Sequence, residues 1–475
     1  MIQKADFDNL YNNLKNYPFI SVAVEVSEEL NIDLYIVGGF VRDLLLGWQP
    51  KEADFMVIGD GVKFAETLAK KLNAGNVIIF KTFGTAYFDY QGFKLEFVGA
   101  RKESYNRNSR NPIVETGTFD DDINRRDFTI NAIALSLCKN NRYQIIDKFS
   151  GINDLENKII RTPIDPLITF DDDPLRILRA FRFATKLKFA PVPEVLEAAS
   201  KLAERLTIVA QERITDEFLK ILSYDTPSIG LKLLYQTGAL KYFFPELEEL
   251  AGVEQVGLYA HKDVFLHTCQ VVDNVAAVSD NIWLRFAALV HDIAKPRTKK
   301  FIEGIGWSYH GHDEIGAKMM KEIFRRLKLP FHHLNYVKKL VRLHLRPIAL
   351  ANQQVTDSAI RRLIVQAGDD LNDLITLCRC DITSGNPKKV EAYLANYENV
   401  MKRVLEVKEK DRLRAFTSPV GGEEIMKICN LKPCPTVGKI KKEIEEAILE
   451  GKIPNTYEAA YDYLLQIKDK YRSEY

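Results

Sequence analysis

The sequence predicts an α+β head over about the first 150 residues, followed by an elongated, all-helical remainder. Three observations carry this. Short runs of β-branched and aromatic residues, punctuated by glycine turns, cluster before residue 150. Beyond Asp154 these strand signals fade, and helical periodicity dominates from Pro174 onward. At 475 residues the chain is also too long for one compact core.

Within the head, Leu34–Val37, Phe55–Ile58, Val77–Phe80, Thr85–Asp89 and Lys94–Val98 read as strands of a mixed sheet. Tyr90-Gln91-Gly92 reads as the hairpin turn between the last two. Helices intervene near Val41–Leu46 and Val62–Leu72, and the head closes near Ile146. Arg101 to Phe119 is polar and mixed in charge, a loop between strand and helix. Arg125-Arg126-Asp127-Phe128-Thr129-Ile130-Asn131-Ala132 opens a helical stretch, which would put Asp127 and Asn131 on one face. Asp173 stands at an N-cap position, Pro174 suits the first helical turn, and Leu175, Leu178 and Phe181 form the core side of the helix that follows. The helical remainder is interrupted at Pro191-Val192-Pro193, Tyr224-Asp225-Thr226-Pro227, Pro387 and Ser418-Pro419-Val420-Gly421-Gly422. The expected division is 1–150, 151–245, 246–385 and 386–475.

The run Tyr35-Ile36-Val37-Gly38-Gly39-Phe40-Val41-Arg42-Asp43 reads as strand, glycine turn and helix, and Glu52-Ala53-Asp54 opens the next strand. Residues two apart on a strand share a face, so Glu52 and Asp54 can hold one hard cation such as Mg²⁺, shared with substrate phosphates. Gly38 and Gly39 let backbone approach a phosphate, and Arg42 can neutralise it. Asp127 and Asn131 offer hydrogen bonds to a ribose hydroxyl pair, and Arg126 a guanidinium to a phosphate oxygen. Arg176, Arg179 and Arg182, three apart, fan over about 120° of their helix at ~100° per residue and favour an anionic partner. Asp173 and Arg176 present acceptor and donor edges suited to a nucleobase. Taken singly, each motif also fits a plainer role: a tight turn, a capped helix, a solvated basic face.

Bulk composition narrows the class. The chain is 46% hydrophobic and 28% charged, an ordinary globular balance. A net charge of +1 gives no global basic field, so an RNA partner would need a local surface. Cys138, Cys269, Cys378, Cys380, Cys429 and Cys434 lack paired zinc spacing and read as reduced thiols. The polar segment Met1 to Tyr17 is no apolar signal core, and no stretch approaches the ~20 apolar residues of a membrane span. A cytoplasmic protein without membrane attachment is expected; the oligomeric state stays open.

Three motifs in order match a family. The stretches VGGFVRDLLLG, EADF, RRDFTINAIA, DDDPLRILRAFRF and QERITDEFLKIL, with TVGKIKKEIEEAILEGKI near the C-terminus, resemble the bacterial class II tRNA nucleotidyltransferases (CCA-adding enzymes) and their poly(A) polymerase relatives. The resemblance covers most of the chain, from about Leu34 to the last helices. It implies a polymerase-β-like head, with Gly39 and Arg42 at the nucleotide phosphates, Glu52 and Asp54 on Mg²⁺, and Glu96 as a third carboxylate. It further implies Arg126 on phosphate and Asp127 on the ribose. Asp173 and Arg176 would read the base of CTP or ATP, with Arg179 and Arg182 in support and tRNA as the acceptor. Two departures stand out. The family's metal strand carries Asp-x-Asp, here Glu52-Ala53-Asp54, and its Glu-Asp before the proline is here Asp172-Asp173. The extra methylene of Glu52 moves its carboxylate by roughly 1–1.5 Å, and misplacement on that scale can cost ~10²-fold in rate. The motifs do not separate CCA addition from poly(A) polymerase or CC-only or A-only addition, and the glutamate leaves open an HD-type metal-dependent phosphohydrolase with a silenced head.

All eight histidines lie in the central region: His261, His267, His291, His310, His312, His332, His333 and His344. His291-Asp292 within ALVHDIAK resembles the signature of HD-domain phosphohydrolases; His267 lies upstream on an expected helix, and Asp381 stands where that family's last ligand belongs. His310 or His312, with His344, would complete a second position. This implies a divalent metal held by His267, His291, Asp292 and Asp381, and a phosphohydrolase that trims damaged 3′ phosphates. Lys439, Lys441 and Lys442 could touch tRNA phosphates; a solvated helix start fits them equally.

Overall fold

The computed structural model describes residues 14–80, 84–104, 113–252, 263–303, 306–351, 356–384, 386–411 and 418–474. It divides into two compact units, Met1–Glu248 and Glu249–Tyr475.

The first unit is built on a mixed sheet. Its strands are β1 (Leu34–Val37), β2 (Glu52–Val57), β3 (Ile78–Phe80), β4 (Thr85–Tyr90) and β5 (Phe93–Gly99). A separate hairpin, β6 (Arg101–Ser104) and β7 (Ile113–Thr116), intervenes before β8 (Ile133–Ser136) and β9 (Ile145–Asp147). The sheet order is β3-β4-β5-β2-β1-β8-β9, and β2–β5 is the parallel pair. The β4–β5 turn has Gln91 at φ 48° and Gly92 at φ 83°, the left-handed pair that a two-residue hairpin requires.

Alternation sorts β2. Phe55 faces an aromatic layer, stacking on Phe97 at 4.8 Å with Phe64 and Phe19 beside it. Met56 faces the opposite layer with Val37, Ile123 and Ala134. Glu52 and Asp54 share the Met56 face by the two-residue period. The sheet thus presents its acids at one end of a face whose other end is packed.

Two sequence readings change. The segment Arg125–Ala132 does not open a long helix. The helix Phe119–Asn124 precedes it, a single 3₁₀ turn (Thr129–Asn131) follows, and the chain then enters β8 between β1 and β9. Ile133–Ser136 is buried on both faces, and such a run does not show strand periodicity. Asp127 and Asn131 still meet, through Asn131 Nδ2 donating to Asp127 Oδ1 at 3.1 Å. The polar loop expected over Arg101–Phe119 begins and ends in the β6–β7 hairpin; residues 105–112 lie outside the described residues.

The rest of the first unit is helical, with Leu175–Leu187 packed against Gln211–Ser223 and Ser228–Gln236. In the second unit the helices Val264–Ala276, Ile282–Val290, His312–Arg326, Leu334–Leu343 and Leu371–Cys380 enclose the histidine cluster. Pro387 begins the helix Pro387–Asp411, where its fixed φ and missing N–H cost nothing. Gly422–Cys429, Pro435–Leu449 and Tyr457–Ile467 gather around Ile425, Ile440, Ile444 and Leu464. Among the described residues no helix is long and apolar enough to cross a membrane. All six cysteines are free thiols.

Candidate active sites

In the first unit a cleft of about 770 Å³ opens where β1 ends. Gly38 turns the chain there at φ 76°, a conformation that favours glycine. A Cβ on Gly38 would stand 3.3 Å from Arg126 Nη1 and 3.4 Å from Asp54 Oδ2. Asp54 lies opposite Val37 on one side and Glu96 on the other. Glu52 sits exposed at the rim, and Lys94 Nζ reaches Glu96 Oε2 at 3.2 Å. Burial pushes the Asp54 carboxyl up; Arg126 pulls it down, Glu96 and Glu52 push it up again, and it settles at about 6. Three carboxylates converging with too little positive charge among them suit a hard divalent cation, since the donors are all oxygen.

The opposite wall is basic, and its guanidiniums are tethered. Arg42 Nη1 donates to Asn131 Oδ1 at 2.6 Å, and its Nη2 lies 2.6 Å from Asp43 Oδ1. Arg179 Nε donates to Asp127 Oδ2 at 2.9 Å. Arg182 pairs with Glu217, and Arg126 Nη2 with Asp122 Oδ2 at 3.0 Å. Asp127 carries its charge easily despite burial: Arg179 and the Asn131 amide hold its carboxyl at about 2. Arg42, Asn131, Asp127 and Arg179 thus form one hydrogen-bonded chain along the wall.

The second unit holds two sets of metal-ligand atoms, His267, His291 and Asp381 in one and Asp292, His312 and His344 in the other. Asp292 reaches both. Its Oδ2 is 3.2 Å from His291 Nε2, and its Oδ1 is 3.3 Å from His312 Nε2. His291, His312 and His344 each commit Nδ1 to a backbone carbonyl, of Ala288, Tyr309 and Val341, at 2.7, 2.7 and 2.6 Å. His267 Nδ1 meets Thr383 Oγ1 at 2.8 Å. Fixing Nδ1 in this way orients Nε2 inward, the arrangement that metal-binding imidazoles use. His291 Nε2 is buried without a hydrogen-bond partner. Burial disfavours the His291 cation, yet Asp292 and Asp381 raise its pKa to about 10. Burial and His291 together lower His344 to about 4. Four imidazoles and two carboxylates gathered in this way offer the donor atoms that divalent metal ions take, and Lys295 Nζ lies 2.5 Å from Asp292 Oδ2 beside them. His310 is exposed outside both sets, and His333 stacks on Trp283 at 4.1 Å with His332 beside it. His261 lies outside the described residues.

Residues 34–161 match the poly A polymerase head domain, 188–250 the probable RNA and SrmB-binding site of polymerase A, and 264–383 the HD domain. An A-adding tRNA nucleotidyltransferase of Deinococcus radiodurans is 32% identical over 353 residues, 72% of this chain and 78% of that protein. The chain belongs to the tRNA nucleotidyltransferase family. A multifunctional CCA protein of Tolumonas auensis is 34% identical over 309 residues, 63% of this chain and 71% of its own length. In fold, this family member is similar to a CCA-adding enzyme solved with ATP, at TM-score 0.63 and 21% identity over 98% of each chain.

For this nucleotidyltransferase, Gly38, Gly39, Arg42, Glu52, Asp54, Glu96, Arg126, Asp127, Asn131, Arg179 and Arg182 all line the one cleft. Asp173 and Arg176 do not line it. Arg176 Nη2 donates to the Arg125 carbonyl at 2.7 Å, and Asp173 Oδ2 pairs with Arg213 Nη2 at 3.2 Å. Sequence reasoning missed the tethers Asp43, Asp122 and Glu217, along with Phe183, Lys186, Lys220 and Tyr224 on the cleft wall. Glu217 left one signal: it is an acid on the buried side of the amphipathic helix Gln211–Ser223.

Proposed function

We propose that this enzyme adds CMP and AMP to the 3′ end of tRNA, using CTP and ATP, by metal-dependent transfer without a nucleic-acid template. One observation supports this above the others: Glu52, Asp54 and Glu96 converge across a parallel strand pair in a cleft that Arg42, Arg126, Arg179 and Arg182 also line. The relatives' names and the family membership support tRNA as the acceptor.

The tRNA 3′ hydroxyl attacks the α-phosphorus, a phosphorus–oxygen bond forms, and pyrophosphate departs. Magnesium held by Glu52, Asp54 and Glu96 would supply positive charge at the phosphoryl oxygens and ease loss of the hydroxyl proton. Gly38 and Gly39 let the nucleotide approach the backbone. Arg42, Arg126, Arg179 and Arg182 orient the triphosphate and offset its charge. Asp173 and Arg176 remain the proposed base-reading pair; that role requires them to exchange Arg213 and the Arg125 carbonyl for the base. The divisions 1–150, 151–245, 246–385 and 386–475 are read as head, neck, HD domain and tail. A cytoplasmic location follows from the proposed tRNA substrate.

The test is incorporation of labelled CTP alone, ATP alone and both into tRNAs lacking one, two or three terminal residues. Ordered C, C, A addition is expected. Only A, only C or an extended A tail would select the A-only, CC-only or poly(A) alternatives.

A second activity rests on two adjacent ligand sets, with Asp292 of one set also lying 3.2 Å from His291 Nε2 of the other. We read the HD unit as a phosphohydrolase: His267, His291 and Asp381 would hold one divalent ion, and Asp292, His312 and His344 another. The ions would supply an activated water and Lewis acidity. Cyclic-phosphate hydrolysis assayed with several divalent metals tests it, and absence of both bound metal and hydrolysis would remove it.

A further inference from the structure

We infer that Phe183 is a positioning residue for the nucleotide triphosphate: its ring gathers three guanidiniums of the cleft through its π face. This rests on the nucleotidyl-transfer reading and goes beyond it, because no role was assigned to any aromatic side chain there.

The observation is geometric. The guanidinium carbon of Arg182 stands 4.2 Å from the centre of the Phe183 ring, that of Arg42 5.2 Å and that of Arg179 5.7 Å. All three arginines line the cleft, and so does Phe183, which is only 5% exposed. The arginines come from two different helices, Gly39–Leu45 and Leu175–Leu187. Three like charges around one point repel. Their carboxylate partners Asp43, Asp127 and Glu217 offset this from separate places. The ring is the feature the three have in common. Its negative face attracts each cation within about 6 Å, and this attraction strengthens where water is excluded. A leucine would fill similar space without that field.

Phe183 also touches Phe128 edge-on at 5.6 Å, so a purely structural role must be separated from an electrostatic one. Fluorinated phenylalanines do this: each added fluorine weakens the ring's negative face at nearly constant shape. The experiment uses the full chain with Phe183 replaced by mono-, di- and trifluorophenylalanine, beside Phe183→Leu and Phe183→Tyr. It measures kcat, KM for CTP and ATP on truncated tRNA, equilibrium binding of labelled ATP, and melting temperature. The expected result is a progressive rise in nucleotide KM with fluorine count, reaching roughly tenfold for trifluorophenylalanine and for leucine. Turnover at saturation should stay within about threefold, and tyrosine should stay near wild type. Flat nucleotide KM and ATP binding across the fluorinated series, with an active wild type, would overturn the inference and leave the nucleotidyl-transfer reading standing. A wild type that neither binds ATP nor incorporates nucleotide would remove both.

Discussion

The sharpest prediction concerns two adjacent glycines. Gly38→Ala places a methyl where φ is 76° and ψ is −132°, and such backbone costs an L-residue about 1–3 kcal/mol. The new carbon would also press on Arg126 Nη1 at 3.3 Å and Asp54 Oδ2 at 3.4 Å. Those distances are tight, so the metal-side carboxylate and the phosphate-side guanidinium must give way together. Clearing them takes a shift of a few tenths of an ångström, so the loss is carried mainly by the strained turn, whose cost corresponds to about 5- to 150-fold. Gly39→Ala is the control. Its Cβ would meet only Arg42 Nη2, at 3.5 Å, and its backbone is already helical. The assay is CTP and ATP incorporation into truncated tRNA, with a thermal melt of each variant. Expected are a ~10²-fold loss of kcat/KM for Gly38→Ala and, for Gly39→Ala, kcat within about fivefold with a rise in nucleotide KM from the methyl on the approach path. Gly38→Ala activity within threefold of wild type would refute the reasoning that this turn sets the spacing of Asp54 and Arg126.

Glu52 stands exposed at the rim and is free to adjust its extra methylene, so Glu52→Asp should change incorporation by less than about tenfold; a gain of ~10²-fold would mean that glutamate has silenced the head. Asp127 holds its carboxyl at about 2, below the usual 3.8, so its ion pair stabilises the fold above pH ~4, and this is lost as pH falls toward 2. Because the Arg179 side chain is 35% exposed, the stabilisation should be only about 1–2 kcal/mol. Melting of wild type and Asp127→Asn should therefore differ at pH 6 and converge near pH 2, and a gap unchanged across that range would count against the pair. In the HD unit, Asp292 belongs to one ligand set and lies 3.2 Å from His291 of the other, so Asp292→Asn touches both, whereas His312→Ala touches one. Elemental analysis of purified protein should show metal content near zero for the first and about half of wild type for the second; equal content in all three would disprove the shared carboxylate.

Much of the cleft could be read from the chain because its signals are local. A two-residue period puts Glu52 and Asp54 on one face whatever surrounds them, and Gly38-Gly39 marks a turn without tertiary help. His291-Asp292 is legible for the same reason. What escaped depends on distant partners. Arg182 meets Glu217 35 residues on, and Arg179 meets Asp127 52 residues back. The spacing of Arg176, Arg179 and Arg182 announces a basic face. It does not say that two of the three turn to the chain's own carboxylates and the third to a backbone carbonyl. Ile133–Ser136 was obscured because a strand buried on both faces loses its alternation.

The tethers change what the cleft is built to accept. Seen as a sequence, the arginine series is a set of repelling charges awaiting any anion. In the fold, Arg42, Arg179 and Arg182 are paired with Asp43, Asp127 and Glu217, which Lys186 and Lys220 also approach, so that wall keeps a reduced positive charge before ligand arrives. The opposite pole is acidic: Glu52, Asp54 and Glu96 outnumber Lys94 and Arg126, and Asp54 keeps its proton up to about pH 6. A bare triphosphate gains less Coulomb energy from a partly neutralised wall and is repelled by the acids. A bare cation satisfies the acids and leaves the guanidiniums unused. The arrangement favours a metal-complexed nucleotide, whose positive and negative ends meet complementary poles. Nucleotide affinity should consequently rise with divalent metal more steeply than charge screening explains, and Asp54→Asn should flatten that dependence while leaving metal-free binding intact or tighter.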